Sequence, residues 1–475
     1  MTADAIMIYT SAGQVAAILP SRIPAGEATI TVTYNNQTSA PVPFRVARSS
    51  VGVFTRNQAG SGPGIVQNYV SATDQPVNAL TEVARPSQVM ILWGTGLGPV
   101  DFDETRAPEV RNLDVDLDVL VAGKSARVLY KGRSPQFPGI DQINFEIPAD
   151  TPEGCHVPLA LRAGGVVSNF TTIAIAARGR VCSDPNSYSA ADMETARSSG
   201  WLRLTLITLS KLNFLNVFPG VWDQANSRSN RWPHATLLKL NRIETYALPY
   251  GTCTVVSSGL DPNDPFDITE NPGSDGSSGI DGGAALNLNG PRGSKQWQNG
   301  GGTDLGGGIP PISGSYGPEY LVPGVYTVDN GNGSPNIGPY RATLTLPAPP
   351  IWTNHSSITA VNRSQDLTVT WSGGDTAKES VLIYGMSTNT NLGVGSLFAC
   401  VERSAAGRFT IPALVLSALP VSGTAIPPGG GQSLSTGILQ VNSASIRELN
   451  RFQVQGLDAG SFGYVMSNRK FVGYQ

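Results

Sequence analysis

The chain has 475 residues, of which 54 are glycine and 35 proline, about 19 % together; both residue types punctuate strands and spoil helices, which excludes a mainly helical fold. Charged residues make up only 14 %, against roughly 25 % in ordinary soluble domains. With 32 basic and 35 acidic residues the net charge is −3 and the signs are mixed, which excludes an electrostatic footprint for nucleic acid or anionic lipid.

At ~100–200 residues per domain this length predicts three or four units, and the recurring short strand-like runs predict an all-β protein of tandem immunoglobulin-like or fibronectin-like β-sandwiches. The start, Met1-Thr2-Ala3-Asp4, has neither a basic n-region nor an apolar h-region, and a leader lost by truncation is the expectation. Strands are expected at residues 6–9 and 14–19, then at 29–34, where Thr-Ile-Thr-Val-Thr-Tyr leads through Asn35-Asn36 into 41–46. These are fewer than the roughly seven strands of a complete sandwich. Residues 1–48 therefore read as the C-terminal part of a truncated immunoglobulin-like domain, exposing Ile6, Ile8, Val15 and Ile18.

Residues 49–180 form the best-defined unit, with strands expected at 64–68, 88–93, 115–122, 126–131, 141–147, 157–163 and 171–176 between glycine and proline turns. Over 113–120, Asp114, Asp116 and Asp118 alternate with Val115, Leu117 and Val119, so one face meets solvent and the other the core. Residues 181–346 open and close with strands and carry a Gly/Asp/Asn/Ser-rich middle, 259–308, expected as long loops. After the extended linker Pro347-Ala348-Pro349-Pro350, residues 347–475 read as a fibronectin-like sandwich starting with strands at 367–371 and 380–384. The most apolar long window, 201–218, is interrupted by Arg203, Lys211, Asn213 and Asn216; it falls short of the roughly 20 apolar residues of a membrane-spanning helix.

The four cysteines contain no Cys-x-x-Cys pair, which argues for disulfides over zinc. Cys155 and Cys182 flank a strand pair that returns toward its start and are expected to bond. Cys253 and Cys400 either stay buried as thiols or bond to each other, clamping 181–346 to 347–475; bonding is the expectation. His156, His234 and His355 lie in separate regions without metal spacing. No Gly-x-Ser-x-Gly elbow joins a strand to a helix, and Gly123-Lys124-Ser125 is no phosphate loop because Asp118 stands where its first glycine belongs. The glycine runs at 60–64 and 94–98 precede no helical pattern and read as turns. Asp261, Asp264, Asp267, Glu270 and Asp275 crowd a Gly/Pro-rich loop and form a candidate calcium site, although their spacing matches no established loop motif; otherwise no cofactor is expected. Asp101, Asp103 and Glu104 are a weaker cluster of the same kind. Trp222, Trp232, Trp297, Tyr316 and Tyr320 sit in or beside polar, glycine-rich segments, where aromatic rings could stack on the C–H faces of sugars.

Six segments carry a family resemblance: Ile8-Tyr9-Thr10-Ser11-Ala12-Gly13-Gln14-Val15, Ile23-Pro24-Ala25-Gly26-Glu27-Ala28-Thr29, Gly52-Val53-Phe54-Thr55, Trp93-Gly94-Thr95-Gly96-Leu97-Gly98-Pro99, Asp141-Gln142-Ile143-Asn144-Phe145-Glu146-Ile147-Pro148 and Val167-Ser168-Asn169. Together they resemble the Solibacter-type uncharacterised C-terminal domain of large secreted or surface proteins of soil bacteria, over about residues 1–180. Residues 181–475 resemble, more loosely, the tail that accompanies it, through 251–255, 361–364 and 368–375. The resemblance implies immunoglobulin-like modules, an extracellular or cell-surface location and no established activity. The function expected is that of a non-catalytic, exported structural or adhesive protein whose partner is an unknown protein or glycan surface, with no nucleic-acid partner. A carbohydrate-binding module within 181–346 is the alternative, and an unrecognised hydrolase a third reading.

Overall fold

The computed structural model describes residues 1–106, 108–182, 190–217, 220–233, 248–261, 264–269, 278–298, 300, 302–308, 318–426, 432–445 and 450–475. Within them the protein is all-β, as expected, and its sheets face one another as sandwiches.

The N-terminal 48 residues form three two-stranded antiparallel ladders: Ile6–Thr10 with Val15–Ile18, Gly26–Ile30 with Val42–Val46, and Thr33–Tyr34 with Gln37–Thr38. The last is closed by Asn35-Asn36, both at positive φ (47° and 59°), the conformation that a two-residue hairpin turn requires and asparagine tolerates. Ile8 and Val15 are about half exposed. Ile18 lies against Gly139 of the next unit, and Ser21 is bonded through both its N–H (2.8 Å) and Oγ (2.7 Å) to the Glu104 carboxylate.

Residues 49–180 form one nine-stranded sheet folded over its own core. Strand Lys124–Arg133 makes the fold: it pairs with Leu117–Val121 through residues 124–126 and with Asp141–Glu146 through 127–133, with a bulge between Val128 and Tyr130. A bulge adds a residue to one strand and bends it, so this strand passes from one layer to the other. Val66, Met90, Leu92, Val119, Phe145, Val157 and Leu159 are fully buried between the layers. The aspartate alternation holds in burial over residues 113–119, with Leu113, Leu117 and Val119 buried, Val115 packed against the core and Asp114 and Asp116 exposed, although the strand itself spans only Leu117–Val121; Asp118 faces out to an ion pair with Arg162.

A short helix, Ala190–Ser199, precedes the largest element, an 11-stranded sheet. Its path runs from Asp264–Thr269 through Thr252–Asp261, Val394–Arg403, Ser380–Asn389, Gly437–Ala444, Ala459–Phe471, Trp201–Phe214 and Gly220–Pro233 to Ser278–Gly279. Two smaller sheets cover it. A four-stranded sheet (Gly293–Gln298, Ala285–Gly290, Gly324–Asp329, Arg341–Leu346) packs Leu286, Leu288, Tyr326 and Leu344 onto Ile207, Leu209 and Phe462. A three-stranded sheet (Ile351–Trp352, Leu367–Ser372, Arg408–Ile411) packs Trp352, Val369 and Trp371 onto Val381, Ile383, Phe398 and Val441.

Two expectations are corrected here. Among the described residues, 259–308 holds the end of strand Thr252–Asp261 and the strands Asp264–Thr269, Ser278–Gly279, Ala285–Gly290, Gly293–Gln298 and Gly302–Gly308; in Ala285–Gly290, Leu286 and Leu288 alternate inward beneath polar partners that disguise the two-residue period. The boundary at Pro347–Pro350 separates no sheets: Trp201–Phe214 lies parallel to Ala459–Phe471 in continuous register from Leu204↔Ala459 to Phe214↔Arg469. Segments 181–346 and 347–475 therefore share one sheet.

Candidate ligand-binding surface

Both expected disulfides are present, and they leave no free cysteine. Cys155 and Cys182 bond with Cα atoms 5.5 Å apart and tie the strand Gly154–Ala163 to the chain leaving the first sandwich. Cys253 and Cys400 bond at 4.1 Å between directly opposed positions of adjacent strands. That bond reinforces the shared sheet rather than clamping two separate domains.

The aromatic set does not converge. Trp297 and Tyr320 are 5 % and 3 % exposed, with Trp297 Nε1 donating to Ser227 Oγ (3.1 Å) and the Tyr320 hydroxyl to the Gly293 carbonyl (2.6 Å). Burial raises the Tyr320 phenol to about 12. These rings fill the core and present no face to a sugar. Trp222 and Trp232 lie on strand Gly220–Pro233 ten positions apart, roughly 33 Å at strand rise, too far to share one small ligand; Trp232 packs against the cluster around Cys155 and Cys182. Tyr316 lies outside the described residues.

The calcium cluster falls partly outside them as well. Asp261 ends one strand and Asp264 and Asp267 lie on the next, with Asp261 opposite Asp264 in register, whereas Glu270 and Asp275 are not among the described residues. The acidic group after the glycine turn is satisfied by protein: Asp101 pairs with Arg111, Asp103 with Arg106 and Thr105, and Glu104 with Ser21. Among the described residues no group of three or more His, Cys, Asp or Glu is placed to hold a metal. His156 is buried in strand Gly154–Ala163, and desolvation lowers its imidazole to about 4. His234 lies outside the described residues.

Several motif residues turn out to be braces. The buried Asp141 accepts the Leu97 N–H (2.8 Å) and pairs with Arg133, which also donates to the Gly98 carbonyl (2.6 Å), so the glycine turn is bolted to the neighbouring strand. Burial raises the Asp141 carboxyl, and the guanidinium of Arg133 opposes that rise. Gly96, at φ 86°, has no room for a side chain: a Cβ there would lie 2.0 Å from the Ser50 carbonyl oxygen. Asn169 grips Val53 through both its N–H (2.8 Å) and its carbonyl (2.9 Å), holding the entry strand of this sandwich.

Among the described residues, two concavities bear on a ligand. One, of about 310 Å³, lies between the large sheet and the Pro349-Pro350 segment and is walled by Lys211, Asn213, Trp352, His355 and Asn468. Its lysine and one of its asparagines are committed to the walls: Lys211 Nζ to Glu319 (2.8 Å), the Leu321 carbonyl (3.0 Å) and Asp223 (3.4 Å), and Asn468 Nδ2 to the Pro350 carbonyl (3.1 Å). The other, of about 380 Å³, opens on the outer face of the first sandwich around Tyr69, Trp93, Gln136, Gln142 and Asn144. Its lining contains no carboxylate, lysine, arginine or histidine. Residue-by-residue reading missed this cleft, although Trp93, Gln142 and Asn144 all belong to the motif segments. The available signal was that they occupy outward positions of two strands whose alternate residues are apolar.

No family model matches the chain, and no curated protein matches it. Among solved structures, the chain has 12 % identity to latent PorU from Porphyromonas gingivalis, covering 86 % of this chain and 34 % of that one, with a TM-score of 0.14. It has 8 % identity to Yersinia pseudotuberculosis InvD (81 % and 94 %, TM-score 0.16) and 9 % to the FN1–FN3 domains of chicken CNTN1 (76 % and 89 %, TM-score 0.11). The chain thus spans about a third of the PorU chain, and at these scores the likenesses carry no argument about function.

Proposed function

We propose that this is a non-catalytic structural and adhesive β protein that works outside the cell, its braced sandwiches displaying a ligand surface. The observation that supports it is the use of cysteine: all four are bonded, in two disulfides that each join buried strands or strand exits, and such bonds persist in oxidising compartments and are scarce in reducing cytosol. The motif residues with strong side-chain bonds spend them on holding loops, and the first-sandwich cleft offers recognition groups without a nucleophile–base pair. The test is retention of the labelled, oxidised protein on intact bacterial cells or biofilm matrix. Saturable retention is expected, and retention no greater than that of an unrelated β-sandwich refutes the adhesive role.

A further inference from the structure

We propose that the cleft around Trp93 binds a neutral carbohydrate; this assigns a ligand class to the adhesive reading above and rests on it. The cleft follows from sheet topology. In strand Val89–Thr95, the outward residues Val89, Ile91 and Trp93 stand opposite Glu146, Asn144 and Gln142 of the neighbouring strand, while Gln67 of the strand on the other side stands opposite Ile91. Three strands thus place aromatic and amide side chains in adjacent rows on one face.

Trp93 is half-buried, with Phe137 set edge-on against it at 6.2 Å and 88°, and Tyr69 at the rim is 41 % exposed and Phe137 50 %. Of these rings Trp93 and Tyr69 line the cleft, and they offer flat apolar surface that the C–H face of a pyranose covers. The amides are ordered before any ligand arrives. Trp93 Nε1 donates to Gln67 Oε1 (2.7 Å), Gln67 Nε2 to the Gln75 carbonyl (2.9 Å), and Gln142 Nε2 to Asn144 Oδ1 (3.0 Å). A primary amide carries two donors and an acceptor with two lone pairs, so each of these bonds uses only a fraction of its capacity. What remains matches vicinal hydroxyls, which both donate and accept.

The absence of formal charge in the lining selects against phosphorylated, sulfated and uronic-acid ligands. Charged residues on the same strands are paired elsewhere, Arg127 with Glu146 and Arg133 with the inward Asp141. The volume of about 380 Å³ lies in the range of small-ligand clefts, ~300–1,000 Å³.

The test is titration of the whole oxidised protein, by calorimetry and tryptophan fluorescence, with cello-, xylo-, laminari-, malto- and chito-oligosaccharides. Oligogalacturonate and a proline-rich peptide serve as anionic and peptide comparators. Binding of at least one neutral oligosaccharide is expected, weakened about tenfold or more by Trp93→Ala, Tyr69→Ala and Gln142→Ala and unchanged by Trp222→Ala. Tyr69 and Gln142 are rim and surface positions, so their variants decide the matter should Trp93→Ala misfold. No binding of any neutral sugar at millimolar concentration, binding indifferent to Tyr69 and Gln142, or preference for the peptide or the galacturonate overturns the proposal. Cell-surface retention that survives in a protein with no sugar affinity removes the carbohydrate alone, whereas sugar binding without retention removes the adhesive role alone.

Discussion

Replacing Cys253 and Cys400 together by alanine should cost about 5 kcal/mol of unfolding free energy. The bond closes a loop of 147 residues, and in the chain-entropy model the unfolded-state entropy removed grows with the logarithm of loop length, giving about 5 kcal/mol at 25 °C. For Cys155 and Cys182, 27 residues apart, the same expression gives roughly 3.5 kcal/mol. The first loop ends at Cys182, well before the second begins at Cys253, so the effects should add. The assay is urea unfolding of the parent, the two double-alanine variants and the quadruple variant. It is followed by far-ultraviolet circular dichroism, with reduction of the parent by dithiothreitol as an independent route to the quadruple state. A Cys253/Cys400 variant within about 1 kcal/mol of the parent would refute the reasoning, since it would mean that the unfolded chain already holds those strands together. A Cys155/Cys182 variant that loses more than the Cys253/Cys400 variant would show that packing, not loop length, sets the order.

Stability should fall as pH drops from about 6.5 toward about 4: the folded imidazole of His156 titrates near 4 and an ordinary histidine near 6.5, so the unfolded chain gains a proton that the native state lacks. The span is worth roughly 3 kcal/mol. Burial raises the carboxyls of Asp141, Asp223 and Glu379, which gives a contribution of opposite sign, so the readout is the difference between the parent and His156→Leu in urea melts at pH 7.5 and 4.5; parallel curves would dismiss the assignment. Asp223→Ala should destabilise by about 3–5 kcal/mol, because the buried carboxylate accepts the Tyr320 and Leu321 N–H groups at 2.7 and 2.8 Å and faces Lys211; Asp223→Asn, which keeps an acceptor, should cost less in the same melts. Gly385→Ala should cost about 1–3 kcal/mol or more, since a Cβ there would lie 2.1 Å from both Phe398 and the Tyr474 hydroxyl; a thermal midpoint equal to the parent's would contradict the packing.

Local features were legible in the residues, while partnerships between distant segments were not. The Asn35-Asn36 turn, the strands of residues 49–180 and the Cys155–Cys182 bond follow from short-range patterns: positive-φ residues between strands, two-residue alternation, cysteines flanking a strand pair. The seam between Trp201–Phe214 and Ala459–Phe471 does not, because nothing within either strand specifies a neighbour some 255 positions away. The strands within 259–308 were hidden because their outward residues are Asn, Gly and Ser, which elsewhere mark turns. The Trp93 cleft was hidden for the first reason, since its lining comes from four separate segments that only the sheet order brings together. Trp297 and Tyr320 show the converse error: polar surroundings in sequence say little about burial when alternate residues face a core.

The seam also decides how tension passes through the molecule. Tension that enters before Trp201 and leaves after Phe471 pulls on two parallel neighbouring strands from opposite ends, because the first is loaded at its N-terminal end and the second at its C-terminal end. The strands must then slide past each other, with the hydrogen bonds between Leu204↔Ala459 and Phe214↔Arg469 loaded side by side. In a hairpin tugged at its open end those bonds would break in succession. Lengthwise pulling is thus met by the whole ladder at once.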